Sequence, residues 1–344
     1  MRGRLARWGL PLLALALVAV WAAGRRPVPL PVSETRFLMD TLVTVTLWGL
    51  EGGEARAAAE AAFAALEAVD REMARIPGTP LWDLNEAGGG VVSAPLAEVL
   101  EASLAWARRT AGAFDPTVAP LLDLWGLWDV GKRGGTPVPP PAAGDLERAR
   151  ARVSWERLDW DPRSRRLDLG GGALDLGGIA KGYAIDRAVA VLRDRGARDF
   201  LVNAGGDLYV AGTKGRTPWR VGIQHPREPG EFLRVVAPAE GALVTSGDYE
   251  RAYLWEAEGE RERIHHILDP RTGRPARGCQ SVTVWATRAM AADALATAVF
   301  VLGPEAGLAL LESEPGAEGL AVGADGRVHE TPGFRGAAPV AAPR

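Results

Sequence analysis

The stretch LDLGGIAKGYAIDRA, residues 174–188, places Asp175, Gly177, Gly178 and Lys181 within seven positions and runs straight into an apolar helical pattern. The unpaired N–H groups and partial positive charge of a helix start attract phosphate. Two glycines there let backbone approach a ligand closely or leave a carbonyl bare. Lys181 in the first turn adds a full positive charge, and Asp175 is left to hold a polar ligand or a donor. A tight strand-to-helix turn with a surface salt bridge would use the same residues. Neither GxGxxG nor a glycine-rich GK[ST] loop occurs, so the dinucleotide fingerprint and the phosphate loop do not apply. Lysine is scarce: Lys132, Lys181 and Lys214 are the only three among 40 Lys and Arg residues, which gives the compact ammonium at 181 some weight.

A second candidate lies near the other end of the chain. ADALATAVFVLG, residues 292–303, sets Asp293 and Thr297 four apart and hence on one helix face. A carboxylate and a hydroxyl so placed can jointly hold a hard cation such as Mg²⁺, and they can equally form a plain helix-surface hydrogen bond. Four further polar, turn-rich stretches stand beside strand or helix patterns. TAGAFDPTVAPLLDLWG at 110–126 holds Phe114 and Asp115 in a turn bounded by Gly and Pro. LVNAGGDLYVAG at 201–212 ends a strand in Asn203, two glycines and Asp207. VTSGDYERAY at 244–253 and HHILDPRTGRP at 265–275 complete the set.

The elements that must carry these residues can be read from periodicity. TLVTVTLW from Thr41 alternates Val43, Val45 and Leu47 against threonines, a half-buried strand. Phe63, Leu66, Val69, Met73 and Ile76 recur at helical spacing over 54–76, ahead of Pro77-Gly78. Ser93 is a plausible N-cap for a helix carrying Leu96, Val99, Leu100 and Leu104. Residues 132–144 read as a low-complexity loop, 158–160 and 167–169 as a hairpin, and 179–193 as a helix. The run 199–210 is a strand interrupted by glycines, and several strands follow from 219 to 254. After them come a strand at 280–286, helices at 290–302 and 304–312, and a last hairpin turning at 324–326. Strands and helices in unequal blocks predict an α+β fold rather than a doubly wound sheet.

Composition narrows the class. With 344 residues, 47% hydrophobic and 24% charged, the chain can bury a full core. A net charge of −3 gives no sign of a nucleic-acid partner. The single cysteine, Cys279, excludes an internal disulfide and any cysteine-based metal cluster. Arg2, Arg4 and Arg7 precede an apolar run at 10–23, and Arg25-Arg26 follow it, so 1–26 reads as a signal peptide or N-terminal membrane anchor. The body is then expected to be exported, periplasmic or on the extracytoplasmic face of the membrane, with 27–34 (PVPLPVSE) as a proline-rich linker.

Taken together and in this order, the polar stretches resemble the ApbE family of FAD:protein FMN transferases. The resemblance rests on Met39-Asp40-Thr41, GAFDPT at 112–117, DLGGIAKGY at 175–183, NAGGD at 203–207, TSGDYER at 245–251, HILDPRTG at 266–273 and ADALAT at 292–297. It runs from about residue 35 to 330, and Leu268 stands where the family's pattern has isoleucine. It implies one transferase domain over 35–334, of two closely packed α+β subdomains with FAD in the cleft; the residues after it, 335–344, read as a disordered tail. It implies Mg²⁺ held by the Gly178 carbonyl, the Asp293 carboxylate and the Thr297 hydroxyl. FAD would be bound by Asp175 and by Lys181, the lysine near the pyrophosphate. Met39, the backbone of Ala113, Phe114 and Asp115, and Ile267 would line the flavin or adenine pockets.

The reaction implied moves the FMN half of FAD to a Thr or Ser hydroxyl of an acceptor, an exported or membrane-bound redox flavoprotein subunit, and releases AMP. Metal and Lys181 would supply most of the catalysis. His266 is the expected general base, while His265, His225 and His329 are read as incidental. Two alternatives are an FAD pyrophosphatase giving FMN and AMP, and a non-catalytic FAD-binding protein.

Overall fold

The computed structural model describes residues 30–336 apart from 128–136, 216, 239 and 258. The chain begins with β1 (Val32–Leu38) and β2 (Thr41–Trp48), then α1 (Gly52–Met73), α2 (Pro80–Ala87), β3 (Gly89–Val91), α3 (Ala94–Arg109), α4 (Ala119–Leu124) and α5 (Ala143–Arg150). β4 (Asp159–Asp161), β5 (Arg166–Asp168), α6 (Ala180–Asp194), β6 (Asp199–Ala204) and β7 (Asp207–Ala211) come next. They lead to β8 (Val221–Gln224), β9 (Phe232–Val236), β10 (Gly241–Gly247), β11 (Ala252–Ala257), β12 (Glu260–His265), β13 (Leu268–Asp269), β14 (Arg274–Pro275) and β15 (Cys279–Ala286). α7 (Ala289–Leu302), α8 (Pro304–Glu312), β16 (Ala317–Gly323), β17 (Val328–Glu330) and α9 (Pro332–Gly336) close it.

Eight strands form one antiparallel sheet in the order β1-β2-β6-β7-β10-β15-β16-β17. The α+β expectation is borne out. Alternation decides which face each strand buries: Val43, Val45 and Leu47 point into the main core with Phe200, Val202, Val244, Val282 and Val284. α6 packs against α1 on one side and α7 on the other, and α7 lies on β10 and β15. The opposite face of the sheet is covered around Leu208, Val210, Leu243 and Leu320 by Trp219, Val221, Ile223, Val236 and Phe334. A third cluster of Leu121, Trp125, Leu146, Tyr253, Ile264 and Leu268 is the core of a smaller lobe, within which Trp125 Nε1 donates to the Gly273 carbonyl at 2.8 Å.

Several boundaries follow from single residues. Ser93 caps α3 by accepting from the Leu96 N–H at 3.2 Å, as its position in the sequence predicts. The hairpin at 158–169 forms with Trp160 opposite Leu167 and gains β3 as a third strand. The helix expected over 54–76 stops at Met73, where Ala74 turns extended and the Thr79 hydroxyl donates to the Ala74 carbonyl at 2.6 Å. The linker at 27–34 needs correction: β1 begins at Val32, because antiparallel pairing from Val32↔Leu47 to Leu38↔Thr41 organises the polar run VSETRFL. The loop read at 132–144 ends early, since α5 starts at Ala143; its residues 132–136 lie outside the described region. The expected signal or anchor at 1–26 also lies outside it. Of the expected tail at 335–344, Arg335 and Gly336 end α9 and the remainder is outside. Among the described residues no helix is long and apolar enough to cross a membrane.

One contact fixes how α6 and α7 meet. Asp186 accepts from the Ala289 and Met290 N–H groups at 2.7 and 3.2 Å, capping α7. Gly182 sits against the same turn, and a Cβ there would lie 2.3 Å from the Ala289 carbonyl oxygen and 2.8 Å from Met290 Cα. Both neighbours are backbone and cannot rotate away. Gly182→Ala is therefore expected to force the helices apart and cost about 3 kcal/mol, seen as a lower urea midpoint. An unchanged midpoint would show that the junction relaxes freely.

Candidate active site

All the residues singled out for chemistry line one cavity of about 620 Å³. It opens between the β1–β2 turn, the end of α1, the start of α6, the β6–β7 turn, the segment after β10, the β12–β13 connection and α7. Met39, Ala113, Phe114, Asp115, Asp175, Gly178, Lys181, His266, Ile267, Asp293 and Thr297 are all on its wall.

At one end, α6 and α7 bring oxygen atoms together. Asp293 is buried, and its Oδ2 accepts the Gly182 N–H at 2.9 Å. Thr297, one turn on, makes no side-chain hydrogen bond among the described residues, and its Oγ1 lies 3.0 Å from where a Gly178 Cβ would be. A side chain at 178 would thus fill the space between the two segments. Burial, then the negative charge of Asp207, pushes the Asp293 carboxyl well up, with Lys181 and the Gly182 N–H opposing. A desolvated carboxylate beside a hydroxyl and a bare glycine is an oxygen donor set that fits a hard divalent cation completed by water and phosphate oxygens. Among the described residues no group of three or more His, Cys, Asp or Glu could hold a metal by itself.

Lys181 Nζ lies 2.6 Å from Asp207 Oδ2. Asp207 is buried, and its Oδ1 accepts the Thr245 N–H at 3.1 Å. Burial disfavours the ammonium, but Asp207 and then Asp293 outweigh it, and its pKa is held above the ordinary lysine value. In the sequence Asp207 is visible only as the end of a polar strand, with nothing local to mark it as the partner of Lys181. Its position one residue past the Gly205-Gly206 turn was the available signal.

Asp175 shapes its own turn. Oδ1 accepts the Gly177 N–H at 2.9 Å and Oδ2 is 3.2 Å from Arg75 Nη1. Arg75 also pairs with Asp123, so this arginine bridges two segments at the cavity wall. Nothing in the sequence near Arg75 announced it. Asp115 likewise spends its oxygens locally: Oδ1 accepts from the Thr117 N–H at 2.8 Å and hydroxyl at 2.6 Å, and Oδ2 from the Trp155 N–H at 3.1 Å. Its side chain builds the turn that presents the backbone of Ala113 and Phe114 to the cavity. Met39 and Asp40 form the two-residue β1–β2 turn with φ of 54° and 58°, a left-handed pair that matches strand twist but strains non-glycine residues.

His266 donates its backbone N–H to the Arg251 carbonyl at 3.1 Å. Its Nδ1 is buried without a hydrogen-bond partner, and the residue is on the cavity wall. Desolvation first, then Arg251, His265 and Lys181, push its pKa down to about 3, so the ring is neutral. His265 Nε2 is 2.9 Å from the Ala276 carbonyl, and burial lowers its pKa too. Both folded-state values lie below the ordinary 6.5. The unfolded chain then binds more protons once pH drops below that value, so stability present at neutral pH is lost as pH falls through 6.5 toward 3. Each histidine contributes up to about 1.4 kcal/mol per pH unit. Urea midpoints should fall between about pH 7.5 and 5, and His265→Gln should flatten that slope. A slope the substitution leaves intact assigns the loss to other groups.

An antiparallel α+β scaffold with an oxygen-lined, lysine-bearing cleft defines the class. Residues 39–321 match the model of the ApbE family, and the chain belongs to that family. An FAD:protein FMN transferase of Treponema pallidum (strain Nichols) is 33% identical across 97% of this chain and 96% of its own length. One from Rhodobacter capsulatus is 37% identical across 85% of this chain and 56% of its own length. The crystal structure of the ApbE protein from Thermotoga maritima is similar with a TM-score of 0.81 at 32% identity, over 90% of this chain and 99% of that one.

Proposed function

We propose that this protein is an FAD:protein FMN transferase that uses Mg²⁺ to move FMN from FAD onto a Thr or Ser hydroxyl of an acceptor protein, releasing AMP. The observation that carries the reading is the convergence of Asp293, Thr297 and the side-chain-free Gly178 at one end of the cavity, with Lys181 alongside.

In this reading the acceptor oxygen bonds to the FMN-side phosphorus while the bond from that phosphorus to the AMP-side oxygen breaks. The products are a phosphoester on the acceptor and free AMP. His266, neutral and on the cavity wall, would take the hydroxyl proton once the dinucleotide's negative phosphates offset the cationic neighbours that hold its pKa down. Lys181 sets its ammonium against the pyrophosphate, and Asp207 keeps it there. Asp293, Thr297 and the Gly178 carbonyl would hold the cation, which when bound neutralises charge on non-bridging phosphate oxygens. Met39, Phe114 and Ile267 supply apolar wall for the rings, and Asp175, braced by Arg75, holds the glycine turn open to the phosphates. The 1–26 reading places the reaction outside the cytoplasm, with an exported or membrane-bound redox subunit as acceptor.

The test is to mix the purified protein with FAD and Mg²⁺, with and without a candidate acceptor domain, then measure AMP and in-gel flavin fluorescence. Fluorescence on the acceptor band that vanishes when its Thr is changed to Ala supports transfer. AMP formed equally without acceptor and no labelled band means an FAD pyrophosphatase. Bound FAD with no AMP means a binding protein.

A further inference from the structure

Two buried carboxylates, Asp207 and Asp293, compete for one ammonium in the cavity. Lys181 is rooted at the start of α6, one residue before Gly182, whose N–H already bonds Asp293 Oδ2 at 2.9 Å. Asp293 thus sits beside the backbone at the root of Lys181, and its negative charge acts on the ammonium together with that of Asp207. In the structure the ammonium takes Asp207, at 2.6 Å. Asp207 is itself fixed, since it follows the β6–β7 turn and its other oxygen is held by the Thr245 N–H of the neighbouring strand at 3.1 Å.

We propose that Asp207 is a positioning residue that draws the Lys181 ammonium off Asp293 and so keeps the Asp293 carboxylate available to a divalent cation. The inference rests on the metal reading of Asp293 given above. With Asp207 neutral, Lys181 has one buried carboxylate left to pair with, and a cation must displace that ammonium before it binds. Asp207 thereby keeps the site's two positive charges apart: the ammonium stays on the β7 side and the cation on the α7 side. This is more than one added negative charge nearby. A remote charge would change cation affinity by the same factor whether or not Lys181 is present, whereas a residue acting through Lys181 matters only while the lysine is there.

A double-mutant cycle separates the two. Mn²⁺ binding is titrated by electron paramagnetic resonance, in the absence of FAD and with saturating FAD, for wild type, Asp207→Asn, Lys181→Met and the double variant. Asn keeps an oxygen for the Thr245 N–H, and thermal melts verify that each variant is folded. The expected result is a Mn²⁺ affinity about tenfold weaker in Asp207→Asn, and a loss of less than about threefold when the same change is made in the Lys181→Met background. Equal losses in both backgrounds overturn the inference while leaving the metal reading standing. No Mn²⁺ binding by wild type in either state overturns the metal reading and the inference with it.

Discussion

Asp293→Asn should separate activity from stability: Mg²⁺-dependent transfer falls by about two orders of magnitude or more, while the protein stays at least as stable as wild type. The side chain serves two purposes that asparagine splits. Its Oδ2 accepts the Gly182 N–H that joins α6 to α7, and an amide oxygen can take over that bond. Its charge, in contrast, is a burden without a cation, since burial and Asp207 both push its pKa up. Removing that charge relieves a desolvation cost and leaves Lys181 paired with Asp207. A purely structural aspartate would give the reverse, lower stability with activity kept. The measurements are AMP release against Mg²⁺ concentration and the urea midpoint at neutral pH. Wild-type transfer by Asp293→Asn at low Mg²⁺ would refute the ligand assignment.

Lys181→Met should cost both. It strands Asp207, which is buried, and removes the nearby positive charge from Asp293. Breaking a fully buried pair typically costs about 3–5 kcal/mol. Here 31% of the lysine side chain stays exposed, so about 2 kcal/mol is expected. Adding Asp207→Asn should recover part of that loss in stability and none in transfer, because the charge proposed to face the pyrophosphate is still gone. Lys181→Arg should restore stability well but transfer only in part. A planar guanidinium can pair with Asp207 bidentately yet spreads its charge away from the point the ammonium occupies. Wild-type kinetics for Lys181→Arg would make the retention of lysine at 181 accidental.

The wall of the cavity was legible because its residues sit in short, distinctive runs. Asp175 to Lys181, Asp293 with Thr297, and the Phe114 turn each reveal chemistry over fewer than ten positions, and the structure brings them to one place. What stayed hidden was pairing across the chain. Arg75 and Asp175 are 100 residues apart, and no local pattern at either end signals the other. Asp207 was visible as a residue and invisible as the partner of Lys181 for the same reason. Among the elements, α2 escaped because eight residues with only Leu81 and Leu84 buried give too little periodicity to read. β1 escaped because Ser33, Thr35 and Phe37 all face outward, so no apolar alternation marks a strand whose order comes from β2.

The cavity draws on residues from Met39 to Thr297, and this ordering governs when it can exist. A chain emerging from the ribosome makes β1 and β2 first, but β2's second neighbour is β6, at 199–204, and the proposed cation ligands arrive only with α7. No partial chain ending before residue 289 contains either Asp293 or Thr297. Strand pairs this far apart in sequence also close slowly, since loop entropy must be met before the contacts reward it. Until α7 has been made and has docked on β10 and β15, the cavity lacks one of its walls, so the site can form only late in folding.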